Sequence, residues 1–186
     1  TIVPFTRSLA GALDYTPGLF NLSGTSRKVK TTLAKQLAFY VTLYSPMQMA
    51  ADLPEHYEMY LPAFEFIRDV PVDWDVTVPV DGVIGDYVVM ARRDRNSEDW
   101  YVGAVADEHE RTLEVPLNFL AEHRTYQATI YRDGDDAHFE HNPESHVIEQ
   151  RQVTCHDTLT LRAAPGGGFA IRLALQGNNA YPYPLF

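Results

Sequence analysis

The sequence is poor in cysteine and in long apolar runs. Its single cysteine, Cys155, excludes an internal disulfide and a cysteine-rich zinc site. No apolar run approaches the roughly 20 residues that span a bilayer, so we expect no membrane span. The first residues, TIVPFTRSLAG, have neither a basic start nor an apolar signal core. The sequence therefore predicts no targeting segment within it.

Positive charge is also scarce, and it is unevenly placed. Fifteen Lys and Arg against 25 Asp and Glu give a net charge of −10. Residues 1–70 carry six charges of each sign, whereas residues 71–186 carry nine basic and nineteen acidic side chains. Because nucleic-acid binding needs a basic stripe, we expect no nucleic-acid partner. The change in charge balance near residue 70 indicates two pieces with different surfaces.

Residues 1–70 have the pattern of short strands followed by helices. The apolar runs TIVPF and ALDY are typical of short strands. From residue 31 the apolar period is helical, and it forms one stripe of Leu33, Leu37, Tyr40, Val41 and Tyr44. Pro46 ends this helix, and Pro54 and Pro62 suit the first turns of two further helices. This order of short strands, loops and helices is typical of the last units of a (β/α)8 barrel.

From residue 72 onward the period becomes two, which predicts strands. Turn-forming segments such as DG, RNSED and PGGG separate about eight apolar runs. We place these strands near residues 76–80, 84–93, 99–106, 111–117, 126–132, 146–154, 157–163 and 168–175. Short strands at near-regular spacing, with no helix among them, favour an antiparallel β-sandwich. The predicted fold class is therefore α/β plus all-β, with a barrel end in 1–70, a connector in 71–75 and a sandwich in 76–186.

Complete catalytic or metal-binding motifs are missing from the sequence. There is no GxSxG nucleophile elbow. His138 and His141 are the nearest approach to a ligand pair, but they lack the Glu of HExxH and lie in a polar segment, which favours a solvated loop. The DGDD segment at 133–136 lacks the rest of a calcium loop and favours a hairpin turn.

Three residues near the start of the chain are candidates for substrate binding. Asp14 and Tyr15 end an apolar run just before a tight Thr-Pro-Gly turn, and Arg7 follows the run TIVPFT. If these runs are barrel strands, all three lie at the end where barrel enzymes place their active sites. The alternative is that Asp14 only caps the loop and that Tyr15 packs.

A resemblance covers almost the whole chain. The segments IVPFTRSLAGALDYTPGLF, TTLAKQLAFYVTLYSPMQMAADLPEHYE, VPVDWDVT, GDYVVMARR and DWYVGAV resemble the C-terminal part of glycoside hydrolase family 97. They are most similar to its periplasmic, calcium-dependent, inverting α-glucosidases of bacterial starch use. The resemblance implies a periplasmic or secreted bacterial protein, with a barrel end and a C-terminal β-sandwich in this chain.

The resemblance also implies where the chemistry lies. The glutamates that act as general acid, general base and calcium ligands in that family belong to motifs upstream of IVPFTR, and no glutamate of this chain matches them. We therefore expect no catalytic or calcium-binding residue here and no activity from this chain alone. Inverting hydrolysis needs an acid and a base about 6.5–9.5 Å apart, and no spacing here predicts such a pair. The oligosaccharide substrate would meet Arg7, Asp14 and Tyr15 only in the full barrel.

A non-catalytic role is the alternative. The sandwich would then act as a carbohydrate-binding or scaffolding module, with stacking surfaces from Trp100, Tyr101, Tyr126 and Tyr131. The helical stripe raises a related expectation. Because a cut barrel exposes that stripe, we expect residues 1–70 to be ordered only against the remaining barrel strands or against a second copy of the chain.

Overall fold

Helices occupy the first part of the computed structural model, which describes residues 1–24 and 29–177. Two short 3-10 turns, Val3–Phe5 and Arg7–Ala10, come first. Three helices follow: α1 (Leu33–Thr42), α2 (Pro54–Glu58) and α3 (Leu61–Asp69). Thr32 caps α1, because its side chain accepts the backbone N–H of Lys35. The prolines predicted for the first turns of α2 and α3 are confirmed there.

Strands make up the rest of the described chain, and all eight predicted strands are confirmed. Neighbouring strands in both sheets pair antiparallel, and the order of the larger sheet is β1-β2-β3-β8-β5-β6. β4 and β7 form a second, two-stranded sheet. Residues 178–186 of the predicted sandwich lie outside the described residues. The strand bounds are β1 Trp74–Val83, β2 Tyr87–Asp94, β3 Trp100–Ala106, β4 Arg111–Pro116, β5 Tyr126–Asp133, β6 His146–Val153, β7 Thr158–Ala163 and β8 Gly168–Leu175.

The larger sheet is covered on both faces. All seven residues of β3 are buried, although their side chains alternate between the faces. Trp100 and Val102 belong to the core shared with β4 and β7, whereas Tyr101 packs with α1 and α3. The domain therefore has three layers: a two-stranded sheet, a six-stranded sheet and a helical layer.

Gly103 is the point of closest approach between α1 and β3. A Cβ atom added there would lie 2.7 Å from the carbonyl oxygen of Ala38 and 2.8 Å from the Cβ of Val41. Real Cβ atoms do not come so close to backbone oxygen. Glycine at this position lets the helix lie directly on the strand.

This packing corrects the expectation about the helical stripe. Leu33, Leu37 and Val41 are fully buried against the larger sheet, so the stripe is not left open. The expectation was wrong because the strand WYVGAVA is apolar on both faces. A strand of that kind needs cover on its second side, and α1 supplies it.

The first predicted strand is also wrong. TIVPF forms a 3-10 turn, because Pro4 lacks an N–H for a ladder and its fixed φ suits a helical first turn. The ALDY run makes only an isolated parallel bridge between Tyr15 and Gln48. Outside residues 25–28, residues 1–70 hold no longer ladder than this, so the barrel end stays a prediction.

The stacking surface proposed for sugars is wrong as well. Its four aromatic side chains are at most 6% exposed and belong to the two main cores: Trp100, Tyr101, Tyr126 and Tyr131. Stacking on a sugar needs an accessible ring face, and these rings are used for packing instead. None of the helices in residues 1–24 and 29–177 is long and apolar enough to cross a membrane.

The contact at Gly103 gives a prediction for stability. Gly103→Val should lower the free energy of unfolding by about 1–3 kcal/mol, because the added side chain pushes α1 off β3. Urea unfolding followed by tryptophan fluorescence measures this loss. Thr77→Val on the exposed side of β1 is the control and should change it by less than about 0.5 kcal/mol. Equal stability of the two variants would contradict the docking of α1.

Candidate functional site

The three candidate residues lie close in sequence but are not joined in the structure. The Arg7 guanidinium donates to the carbonyl oxygens of Gly11 at 3.3 Å and Ala12 at 3.2 Å, so it closes its own loop. Asp14 is exposed, and Tyr15 is partly buried. Within residues 1–24 and 29–177, no hydrogen bond or ion pair links these three side chains. Their role in substrate binding therefore stays a prediction.

Tyr15 occupies one wall of a cavity of about 280 Å³. Its ring meets Phe39 edge-on, with 5.9 Å between ring centroids. Burial raises the pKa of Tyr15 to about 12, so its hydroxyl keeps its proton at neutral pH. The side chain can pack or exchange hydrogen bonds with a ligand, but it cannot serve as a base.

The Thr-Pro-Gly turn after Tyr15 is held by side chains of α1. The Gln36 side-chain oxygen accepts the backbone N–H of Gly18 at 3.0 Å. The Tyr40 hydroxyl lies 3.1 Å from the carbonyl oxygens of both Pro17 and Met49. Gly18 has a φ of +90°, and a Cβ atom there would come within 2.4 Å of the Tyr40 oxygen. Only glycine fits this turn.

Asp52 holds the next part of the same loop. One of its carboxylate oxygens accepts the backbone N–H groups of Phe20 at 2.8 Å and Asn21 at 2.7 Å. The other oxygen lies 2.5 Å from Nδ1 of His56. The Asn21 amide nitrogen lies 3.1 Å from Nε2 of the same ring. These contacts assign the ring proton to Nδ1, which donates to Asp52, while Nε2 accepts from Asn21.

Hydrogen bonds keep Asp52 ionised. Burial alone would raise the pKa of this carboxyl, but the bonds from His56 and from three backbone N–H groups bring it below its usual range. Tyr57 completes the arrangement, since its hydroxyl accepts the Asp52 N–H at 2.9 Å and donates to the Gly18 carbonyl at 2.7 Å. We call Gln36, Tyr40, Asp52 and Tyr57 the loop clamp.

Sequence reasoning missed the loop clamp. The apolar period places Tyr40 in the helical stripe, but it does not reveal that the Tyr40 hydroxyl binds the Thr-Pro-Gly turn. The one available signal was the spacing of Asp52 and His56, four residues apart at the start of a helix that begins with proline. That spacing predicts a local pair, but it does not reveal the distant loop that the pair holds.

The carboxylates of the DGDD segment do not converge as a calcium loop would require. Calcium takes six to eight oxygen ligands that converge on one point. In the DGDD segment, Asp133 points inward and accepts the N–H groups of Ala164 and Gly168, both at 2.8 Å. Asp136 instead accepts hydrogen bonds from Asn142 and Ser145. These contacts satisfy a hairpin turn and its flanking loop.

Two clusters of side chains of the kinds that bind metals lie on surface loops. The ligand atoms of His138, Glu140 and His141 lie within 4.8 Å of one another, and so do those of Asp107, Glu108 and His109. Nδ1 of His138 already accepts the N–H of Glu140 at 3.1 Å, and Asp107 already pairs with Arg111 and His109. We assign no metal to either group, and the solvated-loop interpretation of the His138 segment stays a prediction.

The two antiparallel sheets and the helical layer on one face define a β-sandwich with a helical cover. Residues 73–174 match the family model described as "Glycosyl-hydrolase 97 C-terminal, oligomerisation". The chain belongs to this family and is the C-terminal region of a glycoside hydrolase family 97 protein.

The relatives with known structures or curated names differ in the substrates that their names give. A family 97 enzyme from Pseudoalteromonas sp. strain K8 has been solved with panose and with acarbose. Its sequence is 48% identical to this chain, and the two structures superpose with a TM-score of 0.90. The match covers 94% of this chain and 28% of the enzyme. A beta-arabinopyranosidase structure is 26% identical with a TM-score of 0.77, covering 92% and 26%. The "Retaining alpha-galactosidase" of Bacteroides thetaiotaomicron is 33% identical over 180 residues, covering 92% and 26%. The chain thus spans about a quarter of each relative's length.

The loop clamp gives a prediction for Asp52. Asp52→Asn should lower the free energy of unfolding at pH 7 by about 1.5–3 kcal/mol, because several hydrogen bonds to a charged acceptor are weakened. Chemical unfolding at several pH values measures the loss. Asp135→Asn is the control, since that side chain is 94% exposed.

The stability lost in Asp52→Asn should depend on pH. The pKa of folded Asp52 lies below its unfolded value of about 3.9, so its stabilisation is complete well above that pH and is lost as the pH falls through the folded pKa. The difference between wild type and Asp52→Asn should therefore shrink towards pH 3. A difference that stays constant from pH 7 to pH 3 would contradict an ionised Asp52.

Proposed function

We propose that this chain is the C-terminal part of an enzyme that hydrolyses α-glucosidic bonds of starch-derived oligosaccharides with inversion of configuration. The support is the higher identity with the enzyme solved with panose and acarbose, 48%, than with the alpha-galactosidase, 33%. Panose is an α-linked trisaccharide of glucose. The catalytic carboxylates and the calcium ligands would lie outside this chain, in the periplasmic or secreted bacterial enzyme.

The loop clamp is the observation that carries a substrate-side role for this chain. Gln36, Tyr40 and Tyr57 fix the turn that directly follows Asp14 and Tyr15, and Asp52 fixes the residues just after that turn. A binding site needs side chains held in place before the ligand arrives, and a clamped loop meets that need. We assign Asp14 to accept sugar hydroxyls, Tyr15 to pack beside the sugar, and Arg7 to hold the loop that leads to them.

Exposed apolar side chains support a place against the rest of a barrel. Most of them belong to the first 61 residues: Ile2, Val3, Leu9, Met47, Met49, Leu53, Met59 and Leu61. In the part matched by the family model, only Val83 and Ile84 are large, apolar and exposed among the described residues. We infer that these exposed apolar side chains belong to a contact region. We assign this region to the remaining barrel strands and helices.

The test uses the full-length protein that contains this chain. Panose and 4-nitrophenyl α-glucoside should be hydrolysed faster than 4-nitrophenyl α-galactoside, and NMR should detect the β-anomer as the first product. Chelation of calcium should lower the rate, and added calcium should restore it. The 186-residue chain alone should release no sugar. Faster hydrolysis of the α-galactoside with the α-anomer formed first would contradict the proposal.

The substrate-side residues have their own prediction. In the full-length enzyme, Asp14→Asn and Tyr15→Leu should each raise KM for panose about tenfold, which corresponds to about 1.4 kcal/mol of lost binding, and should change kcat much less. Glu55→Gln, on the exposed side of α2, is the control and should change neither constant. Unchanged KM in both test variants would remove these residues from the site.

A second role is favoured by the family description. The C-terminal domain of this family is described as an oligomerisation domain, and the match covers residues 73–174. Because the four aromatic rings are buried, they cannot stack on a sugar, which removes the support for a carbohydrate-binding module. The family description instead supports the scaffolding alternative. We propose that the sandwich joins copies of the enzyme to each other.

A further inference from the structure

The two edge strands of the larger sheet differ in their ability to accept another strand. β1 lies at one edge, and its pairing with β2 shifts register twice, between Trp74 and Val76 and between Pro79 and Asp81. Pro79 has no N–H to offer. Bulges and prolines of this kind protect an edge from strand addition.

β6, at the opposite edge, has no such protection. It pairs with β5 in unbroken register from Tyr126–Val153 to Asp133–His146, and its sequence contains no proline. In an antiparallel sheet, every second residue of an edge strand turns its N–H and C=O groups away from its neighbour. Within residues 1–24 and 29–177, no strand pairs with β6 on that side. Among the described residues, this edge therefore has no strand on its outer side.

β6 carries complementary side chains on either side of Gln150, although Ile148 and Gln152, two residues to either side, do not match. Val147 and Val153 lie three residues to either side, and Glu149 and Arg151 lie one residue to either side. If two β6 strands paired antiparallel with Gln150 at the centre, Glu149 would face the partner's Arg151 on the same side of the sheet. By symmetry, Arg151 would face the partner's Glu149. Opposite charges at facing positions stabilise a strand pair, whereas like charges destabilise it.

We infer that two copies of this chain associate through β6, in antiparallel pairing centred on Gln150, to form one continuous sheet. The two-fold axis makes both copies use the same residues, as a closed dimer requires. The opposite charges of Glu149 and Arg151 are what favour a second copy as the occupant, because two-fold pairing places each of them opposite its counter-charge. This inference rests on the proposed oligomerisation role and names the surface that serves it.

The environment of Glu149 is compatible with this pairing. Its carboxylate lies 3.4 Å from the Arg132 guanidinium of the neighbouring strand, and its side chain is still 42% exposed. Arg151 is exposed and has no ion pair among the described residues. Association would place the partner's Arg151 beside a carboxylate that Arg132 already contacts and that is still accessible.

The test exchanges the charges and measures mass by sedimentation equilibrium over a range of concentrations. The wild-type chain should reach twice its mass of 21.0 kDa. Glu149→Arg makes both facing positions basic, and Arg151→Glu makes both acidic. Each single variant should raise the dimer dissociation constant at least tenfold. An equimolar mixture of the two should restore dimers, and so should the double variant E149R/R151E, because both recreate opposite charges.

Controls distinguish a failure of the proposed β6 interface from a failure of the proposed oligomerisation role. Glu114→Arg on β4 makes the same charge change elsewhere and should leave the dimer intact. Circular dichroism and the rescue in the mixture exclude misfolding as the cause of dissociation. A wild-type dimer that survives both single exchanges would overturn the β6 interface and leave oligomerisation standing. A wild-type chain that stays monomeric up to 100 µM would overturn oligomerisation itself.

Discussion

The contact of α1 with β3 across Gly103 is the constraint on which the rest of the structure depends. It covers the second apolar face of the larger sheet, and it ties the helical part to the sandwich. The same helix carries Gln36 and Tyr40, whose polar ends reach away from the sheet to the Thr-Pro-Gly turn. Sheet packing on one side of α1 therefore sets the position of the loop on its other side.

The loop clamp depends on this helix and adds contributions from the segment behind it. Asp52, just before α2, and Tyr57, within α2, reach the loop, and their hydrogen bonds satisfy backbone groups that would otherwise be buried without partners. Any loss of α1 from the sheet would thus be felt at Asp14 and Tyr15. Through this path the sandwich supports the region proposed to meet the substrate.

The eight strands were predictable because their apolar period and turn residues are local signals. α1 was also predictable from its stripe, but its partner was not, since periodicity gives the direction of an apolar face and not what covers it. TIVPF was misjudged because a short apolar run does not distinguish a strand from a 3-10 turn, and Pro4 decides it. The loop clamp joins residues that lie up to 39 positions apart, a distance at which a single sequence carries no signal.

Hydrogen–deuterium exchange of the whole chain tests most directly whether α1, β3 and the clamped loop form one unit. The backbone amides of Gly18, Phe20 and Asn21, which donate to Gln36 and Asp52, should exchange as slowly as the amides at the centre of β3. Gly103→Val should accelerate all of them together. Fast exchange of the three loop amides beside a protected β3 would contradict the account.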